Sequence, residues 1–299
     1  MTNLTKLGEF GLIERFRKAI KLDSTVVKGS GDDCAVLKFD RKNYQLFTCD
    51  MLVEDVDFTL KDRPYLIGRK SLAVSLSDIA ACGGLPRHCL VSIGMPKKTT
   101  LKFLDEVFSG MLELAKKYKV NISGGDLSRA DKLVIDVSML GAVEKKKLVL
   151  REGAKIGDII FVSGPLGGSI RGKHLKFTPR IKEARFLVSN FKINSMIDIS
   201  DGLSQDLGHI LKASRVGAVI YEDLIPLPAE SAGLNDALYS GEDFELLFTL
   251  SKKEAKRLTR KKKMNFQPIG EITSAKSGLR LINKDCRDIE VLPAGFRHF

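Results

Sequence analysis

The spacing of hydrophobic residues in the first half of the chain predicts alternating helices and strands. Apolar residues three or four positions apart favour a helix over residues 9–20. The same spacing predicts the two longest helices at residues 65–81 and 101–118. Short apolar runs, which are typical of strands, lie at residues 35–37, 45–48, 89–93, 120–122 and 133–140. Helices and strands therefore alternate, with some strands directly following one another.

A similar alternation begins again after a segment rich in Gly and Lys at residues 141–153. Strands are predicted at residues 159–162, 196–199, 218–221, 244–250, 268–272 and 279–282. Helices are predicted at residues 181–188, 203–213 and 252–263. We interpret the Gly- and Lys-rich segment as the crossing between two domains, at residues 1–142 and 143–299. The predicted fold class is α+β.

Composition agrees with a folded protein of this size. The chain has 299 residues, of which 43% are hydrophobic and 29% charged, and this length suits two domains better than one. Residues 1–12 lack the apolar core of a signal sequence, and no apolar stretch reaches the roughly 18 residues of a membrane span. The five cysteines form no CxxC pair, so we expect reduced thiols and a cytoplasmic location.

The net charge of +12 permits either a nucleic-acid-binding protein or an enzyme that acts on anions. Much of the excess positive charge lies in short runs at residues 145–147 and 252–263. These runs lack the interleaved aromatic residues of a single-strand-binding surface, and such runs are usually solvated faces. We therefore predict no nucleic-acid partner and no membrane partner.

Aspartate residues beside Gly or Ser recur at the ends of the apolar runs. They lie in Gly31-Asp32-Asp33, Thr48-Cys49-Asp50, Ser77-Asp78, Gly124-Gly125-Asp126, Asp198-Ile199-Ser200-Asp201-Gly202 and Gly241-Glu242-Asp243. A turn explains any single pair, because Gly and Asp both favour turns. The whole series favours another interpretation, in which the carboxylates converge on several Mg²⁺ ions and a phosphorylated ligand. Glycine beside them lets the backbone approach phosphates closely.

The sequence contains neither the GxxxxGK[ST] phosphate-binding loop nor the HRD and DFG motifs of protein kinases. A cradle of carboxylates and metal ions remains as the way to hold phosphates. Phosphoryl transfer suits such a cradle, because it depends on positioning and on neutralising charge more than on covalent chemistry. The histidines show no metal-ligand spacing, and each is predicted to be structural or at the surface: His88, His174, His209 and His298.

Taken together, the motifs resemble the thiamine-monophosphate kinase family over nearly the whole chain. They occur in order as Gly8-Glu9-Phe10, Gly31-Asp32-Asp33-Cys34-Ala35-Val36-Leu37, Thr48-Cys49-Asp50-Met51-Leu52-Val53-Glu54, Ser75-Leu76-Ser77-Asp78-Ile79-Ala80-Ala81, Gly124-Gly125-Asp126, Arg151-Glu152-Gly153, Ile197-Asp198-Ile199-Ser200-Asp201-Gly202, Gly241-Glu242-Asp243-Phe244-Glu245-Leu246 and Gly295-Phe296-Arg297-His298-Phe299. The resemblance implies a two-domain fold shared with aminoimidazole ribonucleotide synthetase, with mixed sheets flanked by helices. It also implies a homodimer built on the N-terminal domains.

The activity implied by the resemblance is ATP-dependent phosphorylation of thiamine phosphate to thiamine diphosphate. Transfer would be direct, in-line and Mg²⁺-assisted, with both substrates bound in the cleft between the domains. The nucleophile would be a phosphate oxygen of thiamine phosphate. This oxygen is already ionised at neutral pH, so the reaction needs no general base.

Carried over position by position, the resemblance implies roles for individual residues. Magnesium ligands would be Asp33, Thr48, Cys49, Asp50, Asp78, Asp126, Asp198 and Asp201, of which Asp126, Asp50 and Asp78 would act in catalysis through the metal. ATP contacts would be Gly125, Asp126, Arg151 and Ser200, and contacts with thiamine phosphate would be Asp57, Glu242 and Phe296. Phe296 can stack on the cationic thiazolium ring. Glu242 can either offset that positive charge or accept a hydrogen bond from the aminopyrimidine.

The chain departs from the family pattern at three places. Asp57 stands where the family has a substrate-contacting His, which would place an anion near an anionic substrate. Cys49 stands where Thr is common, so its carbonyl is the ligand to be expected there. The helical insertion of the family is shortened to residues 171–178, which alters one wall of the predicted cleft.

Related activities on the same fold are the main alternatives. Selenophosphate synthetase would carry a reactive Cys or selenocysteine near its N-terminus, and the hydrogenase maturation factor a Cys at its C-terminus; this chain has neither. Aminoimidazole ribonucleotide synthetase itself is a further alternative. A basic protein that has lost catalysis and binds nucleic acid would not need to keep all the Asp sites, and salt-sensitive binding of RNA or DNA would reveal it.

Overall fold

The computed structural model describes residues 4–261 and 264–296, which form eight α-helices and thirteen strands. The helices are α1 (Leu4–Ala19), α2 (Pro64–Ala81), α3 (Leu101–Tyr118), α4 (Lys173–Lys176), α5 (Ile181–Asn190), α6 (Leu203–Ser214), α7 (Leu234–Tyr239) and α8 (Lys252–Arg260). The strands are β1 (Val26–Lys28), β2 (Ala35–Lys38), β3 (Asn43–Val53), β4 (Leu85–Met95), β5 (Asn121–Arg129), β6 (Val134–Glu144), β7 (Ile159–Val162), β8 (Ser195–Asp198), β9 (Gly217–Tyr221), β10 (Leu246–Leu250), β11 (Gln267–Thr273), β12 (Leu279–Ile282) and β13 (Asp288–Glu290). None of the described helices is long and apolar enough to cross a membrane.

The first sheet has six strands in the order β1-β2-β3-β6-β4-β5. Strands β4 and β5 are parallel, and the other neighbours are antiparallel. Burial alternates along β6, because one face of the sheet packs against α2 and the other does not. The uncovered face exposes large apolar side chains, including Phe47, Met51 and Leu90.

The second sheet has seven strands in the order β13-β12-β9-β11-β7-β10-β8. Its two faces belong to two apolar cores. Ile160 and Leu247 face one core together with Leu207 of α6. Phe161 and Phe248 face the other core, which is continuous with Leu72 and the rest of the apolar surface of α2.

Helix α2 lies between the two sheets and is buried almost all round. It contacts β3 and β6 of the first sheet, as well as α4, α5 and β8. Pro64 occupies the first turn, where a backbone N–H is not needed, and the segment from Ile67 to Ser77 is buried throughout, Arg69 and Lys70 included. Polar residues on α2 are therefore positioned at the junction of both halves of the molecule.

Most of the predicted elements are confirmed, and α3 and β7 have the predicted bounds. The prediction that a strand ends at residue 122 was wrong, because β5 continues through Gly124 and Gly125 to Arg129. The strand predicted at 244–250 begins at Leu246, because Phe244 has a φ of 50°.

The α+β fold is confirmed. The division after residue 142 falls inside β6 and stays a prediction, and Lys262 and Lys263 lie outside the described residues.

Candidate active site

A group of buried carboxylates lies where the two sheets meet α2. Asp33 precedes β2, Asp50 lies on β3, Asp78 lies in the last turn of α2 and Asp198 ends β8. Single carboxylate oxygens of Asp33, Asp78 and Asp198 all lie within 4.8 Å of one another. We call these four residues the aspartate cluster. Residues far apart in the sequence thus converge, as the motif series predicted.

Hydroxyl groups orient the carboxylates of the cluster. Ser75 Oγ donates to Asp50 Oδ2 at 2.6 Å, and Ser77 Oγ donates to Asp198 Oδ2 at 2.5 Å. Thr48 Oγ1 on β3 donates to Asp78 Oδ2. The sequence analysis gave no role to Ser75 or Ser77, although both lie in a quoted motif. The available signal was their position close to Asp78 on the helix predicted at residues 65–81.

Asp50, Asp78 and Asp198 form no ion pair with the cations of the described residues, and burial raises their pKa values. Burial and nearby carboxylates raise the pKa of Asp50 to about 6 and that of Asp198 to about 7. Burial, with the charges of Asp50, Asp198 and Asp33, raises the pKa of Asp78 well above its usual range. These shifts show that the ionised form of the cluster is short of positive charge.

Arg151 is the cation that the described residues supply to the cluster. Its Nε and Nη2 lie 3.1 Å and 2.5 Å from Oδ1 of Asp33. The other oxygen of Asp33, Oδ2, is buried and has no hydrogen-bond partner among the described residues. A buried acceptor without a partner costs free energy unless a ligand satisfies it. An all-oxygen donor set with such an acceptor fits a hard cation such as Mg²⁺.

The neighbours Thr48 and Cys49 lie on opposite faces of β3. The side chain of Thr48 is buried toward α2, whereas that of Cys49 is exposed on the uncovered face. This follows from the alternation of side chains along a strand. The Cys49 thiol therefore points away from the cluster, and its carbonyl stays the predicted ligand.

A cleft of about 530 Å³ adjoins the cluster. Its walls come from α1, the loop before β2, α6, Arg151 and the loop after β8 that carries Ser200 and Asp201. Positive side chains line it at Arg17, Lys28, Arg151 and Lys212. This mixture of cations beside carboxylates suits a polyphosphate that binds together with metal ions.

The structure places Gly125 and Asp126 away from the aspartate cluster of the same chain. The sheet register runs in one row from Asp50 through Val137 and Val91 to Gly125, which is three strands or roughly 14 Å away. Asp126 belongs to the row of Met51, on the uncovered face, and its side chain is exposed. Its predicted metal and ATP roles are thus not explained by the fold of a single chain.

Glu242 lies at a second junction, where both halves of the molecule contribute charged groups. Lys70 Nζ of α2 lies 2.5 Å from Glu242 Oε1, and His174 Nδ1 of α4 lies 2.9 Å from Glu242 Oε2. Lys70 Nζ also donates to the carbonyl oxygen of Asp57 at 2.7 Å. We call Lys70, His174 and Glu242 the glutamate clamp.

Two of the three predicted substrate residues, Glu242 and Phe296, lie beside the loop at residues 200–201. The backbone N–H of Glu242 donates to the Ser200 carbonyl at 2.6 Å, and that of Phe296 donates to the Asp201 carbonyl at 3.0 Å. The ring of Phe296 is 38% exposed. The carboxylate of Asp57 accepts from the backbone N–H of Val53 at 2.7 Å. The contact of Asp57 with Lys70 is made by its backbone carbonyl. His298 lies outside the described residues.

Comparison with known proteins identifies relatives of the whole chain. The family models for the AIR synthase related protein match its N-terminal domain to residues 31–143 and its C-terminal domain to residues 137–282. The thiamine-monophosphate kinase of Buchnera aphidicola subsp. Schizaphis graminum is 39% identical, covering 98% of this chain and 99% of the relative. That of Bacillus subtilis is 34% identical, covering 98% and 100%. The structure of AaThiL complexed with AMPPCP and TMP matches with a TM-score of 0.88 and 30% identity, covering 100% of this chain and 99% of that one.

Proposed function

The chain belongs to the thiamine-monophosphate kinase family of AIR synthase related proteins, and from this we propose that it transfers the terminal phosphoryl group of ATP to thiamine phosphate. The product is thiamine diphosphate. The observation that carries the proposal within the structure is the aspartate cluster, with its unsatisfied Asp33 oxygen beside a cleft lined by both cations and carboxylates. The relative solved with an ATP analogue and TMP supports the same pair of substrates.

The aspartate cluster would hold magnesium in this enzyme, with Thr48, the Cys49 carbonyl and Asp201 as further predicted ligands. Bound Mg²⁺ would neutralise charge on the reacting phosphates. Thr48, Ser75 and Ser77 fix the carboxylate orientations by hydrogen bonds before any ligand arrives. Such preorganisation lowers the cost of assembling the site around ATP.

The remaining residues bind and orient the two substrates. Arg151 and Ser200 face the cleft and would contact ATP. Glu242 and Phe296 both donate backbone hydrogen bonds to the loop at 200–201, and the thiamine moiety would bind beside them. The attacking phosphate oxygen is ionised at neutral pH, so the enzyme has to position it in line with ATP rather than remove a proton.

We also propose a homodimer formed through the uncovered face of the first sheet. Phe47 is 43% exposed, Met51 58% and Leu90 51%, which is a large apolar area for a monomer. Asp126 lies on this face, so the dimer would bring it to the subunit interface. We propose that Asp126 contributes to the site of the partner subunit, which explains its distance from the cluster in its own chain. A cytoplasmic location stays a prediction.

The test is an assay of the purified protein with ATP, Mg²⁺ and thiamine phosphate, in which thiamine diphosphate is separated by chromatography. We expect product from the wild type and a loss of at least about 100-fold with Asp126→Asn, because a metal-site carboxylate is removed. Absence of product from the wild type would contradict the proposed function.

Mixed dimers test the placement of Asp126. Asp126→Asn and Asp50→Asn are co-expressed in equal amounts, and each variant alone is expected to be inactive. If Asp126 acts in the partner subunit, half of the dimers contain one intact site, so about a quarter of wild-type activity returns. If it acts in its own chain, every mixed site carries one substitution and no activity returns.

A further inference from the structure

Lys70 is fully buried, and its contacts in the glutamate clamp offset the free-energy cost of burying its charge. The exposed fraction of its side chain is 0%, compared with 20% for Glu242 and 12% for His174. A buried ammonium group requires an anionic partner and filled hydrogen bonds. Glu242 supplies the anion at 2.5 Å, and the Asp57 carbonyl supplies a further acceptor at 2.7 Å.

The clamp joins three separate segments around one carboxylate. Lys70 comes from α2, His174 from the short helix α4, and Glu242 from a loop where its backbone φ is 57°. A positive φ is costly for a residue with a side chain, so contacts elsewhere must hold Glu242 in this conformation. Lys70 Nζ contacts Oε1 of Glu242, His174 Nδ1 contacts Oε2, and the two nitrogens lie 3.1 Å from each other, so the three groups hold one another in place.

Pairing with Lys70 changes what Glu242 can recognise. The carboxylate is ionised: burial alone would raise its pKa, but the hydrogen bonds and charges of His174 and Lys70 outweigh burial and lower it. The Lys70–Glu242 pair carries no net charge, and a charged His174 adds a positive one, so the attraction of Glu242 for a further cation is weak. Each carboxylate oxygen nevertheless retains a lone pair, and an ionised acceptor makes strong hydrogen bonds.

We propose that Lys70 and His174 are positioning residues that hold Glu242 as an oriented hydrogen-bond acceptor for the aminopyrimidine of thiamine phosphate, and that Glu242 does not serve to balance the thiazolium charge. This inference rests on the proposed function, since it concerns how that substrate is recognised. His174 lies in the shortened segment at 171–178, so the inference assigns this segment a role in substrate binding.

Substrate analogues separate the two kinds of recognition. One analogue has a carbonyl oxygen in place of the 4′-amino group of thiamine phosphate, and the other has a neutral thiophene in place of the thiazolium ring. We expect Glu242→Gln to lower kcat/KM for thiamine phosphate by about 30-fold, because an oriented ionic acceptor is lost. The same factor is expected with the neutral-ring analogue. With the carbonyl analogue the factor should shrink to about 3-fold or less, because that analogue lacks the donor.

The positioning role predicts a selective effect on one substrate. Lys70→Met and His174→Asn should each raise KM for thiamine phosphate by about 10-fold while KM for ATP changes by less than about 2-fold. Lys176→Met is the matched control, since Lys176 lies on the same helix with an exposed side chain, and we expect wild-type constants from it.

Three results would contradict either the inference or the proposed function on which it rests. A much smaller effect of Glu242→Gln on the neutral-ring analogue than on thiamine phosphate would mean that Glu242 balances charge, and would overturn the inference. Equal changes in both KM values with His174→Asn would also overturn it, even if Lys70→Met fails to fold. A wild-type protein that does not phosphorylate thiamine phosphate at all would instead contradict the proposed function.

Discussion

The aspartate cluster and the glutamate clamp both contain residues of α2, but they differ in how the negative charge of the buried carboxylates is balanced. At the cluster, α2 provides hydroxyl groups and a further carboxylate, and the Arg151 guanidinium donates hydrogen bonds to Asp33. At the clamp, the same helix provides a buried ammonium group for Glu242. The pKa values follow this difference, since those of the cluster are raised and that of Glu242 is lowered.

This difference determines which carboxylates are available to an external cation. A buried carboxylate with a built-in cation is satisfied by the fold itself, whereas one surrounded by other carboxylates is satisfied only by protons or by a metal ion. This contrast supports the proposals that metal ions bind the cluster and that the clamp presents an acceptor to a neutral N–H donor. Sequence motifs alone give Asp78 and Glu242 the same appearance, as acidic residues beside small ones.

Replacing a carboxylate by an amide should affect the stability of the metal-free protein differently in the two regions. Asp78→Asn should lower activity by roughly 10³-fold or more, because a metal ligand is lost. It should not lower the Tm of the metal-free protein, since the amide resembles the protonated acid that burial favours. Glu242→Gln should lower the Tm, because Lys70 is left buried without its anion at a cost of about 3 kcal/mol. Thermal melts in EDTA, alongside assays, measure both.

Asp285→Asn serves as the surface control for these melts, since Asp285 is exposed. If Asp78→Asn destabilised the metal-free protein as much as Glu242→Gln does, the cluster would be satisfied without a metal. The contrast between the two regions would then be wrong.

Stability of the metal-free protein should fall as the pH rises from 5 to 8. Asp50 and Asp198 have folded-state pKa values of about 6 and about 7, above the usual 3.8, so the folded state binds more protons than the unfolded state in this range. With about 1.4 kcal/mol per pKa unit, we expect a decrease in Tm on the order of 5 °C in EDTA.

Magnesium should remove this dependence, because metal ions bind the deprotonated carboxylates. Glu242 does not contribute in the same range, since its lowered pKa adds stability that is lost only below about pH 4.5. Asp198→Asn should flatten the curve in EDTA. A Tm that is constant or rises between pH 5 and 8 in EDTA would contradict the raised pKa values of the cluster.

The sequence predicted the aspartate cluster better than its surroundings. Asp33, Asp50, Asp78 and Asp198 were recognisable because each lies at the end of an apolar run, and the ends of packed elements meet. Asp126 shows the limit of this reasoning. Its Gly-Gly neighbour has turn composition, yet it lies within a strand whose place in the sheet depends on long-range pairing. Lys70 was missed for a similar reason, because burial of one residue in a helix depends on what packs around it.

The smallest difference that we predict separates two neighbouring residues of β3. Thr48→Val removes the hydroxyl that orients Asp78 and keeps the shape of the side chain, so the apparent affinity for Mg²⁺ should fall by about 10-fold. Cys49→Ser changes a side chain on the uncovered face and leaves its carbonyl in place, so activity and Mg²⁺ dependence should stay within about 2-fold of wild type. Titration of activity with Mg²⁺ measures both variants. An effect of Cys49→Ser as large as that of Thr48→Val would mean that the thiol reaches the cluster, and the assignment of the two faces of β3 would have to be reversed.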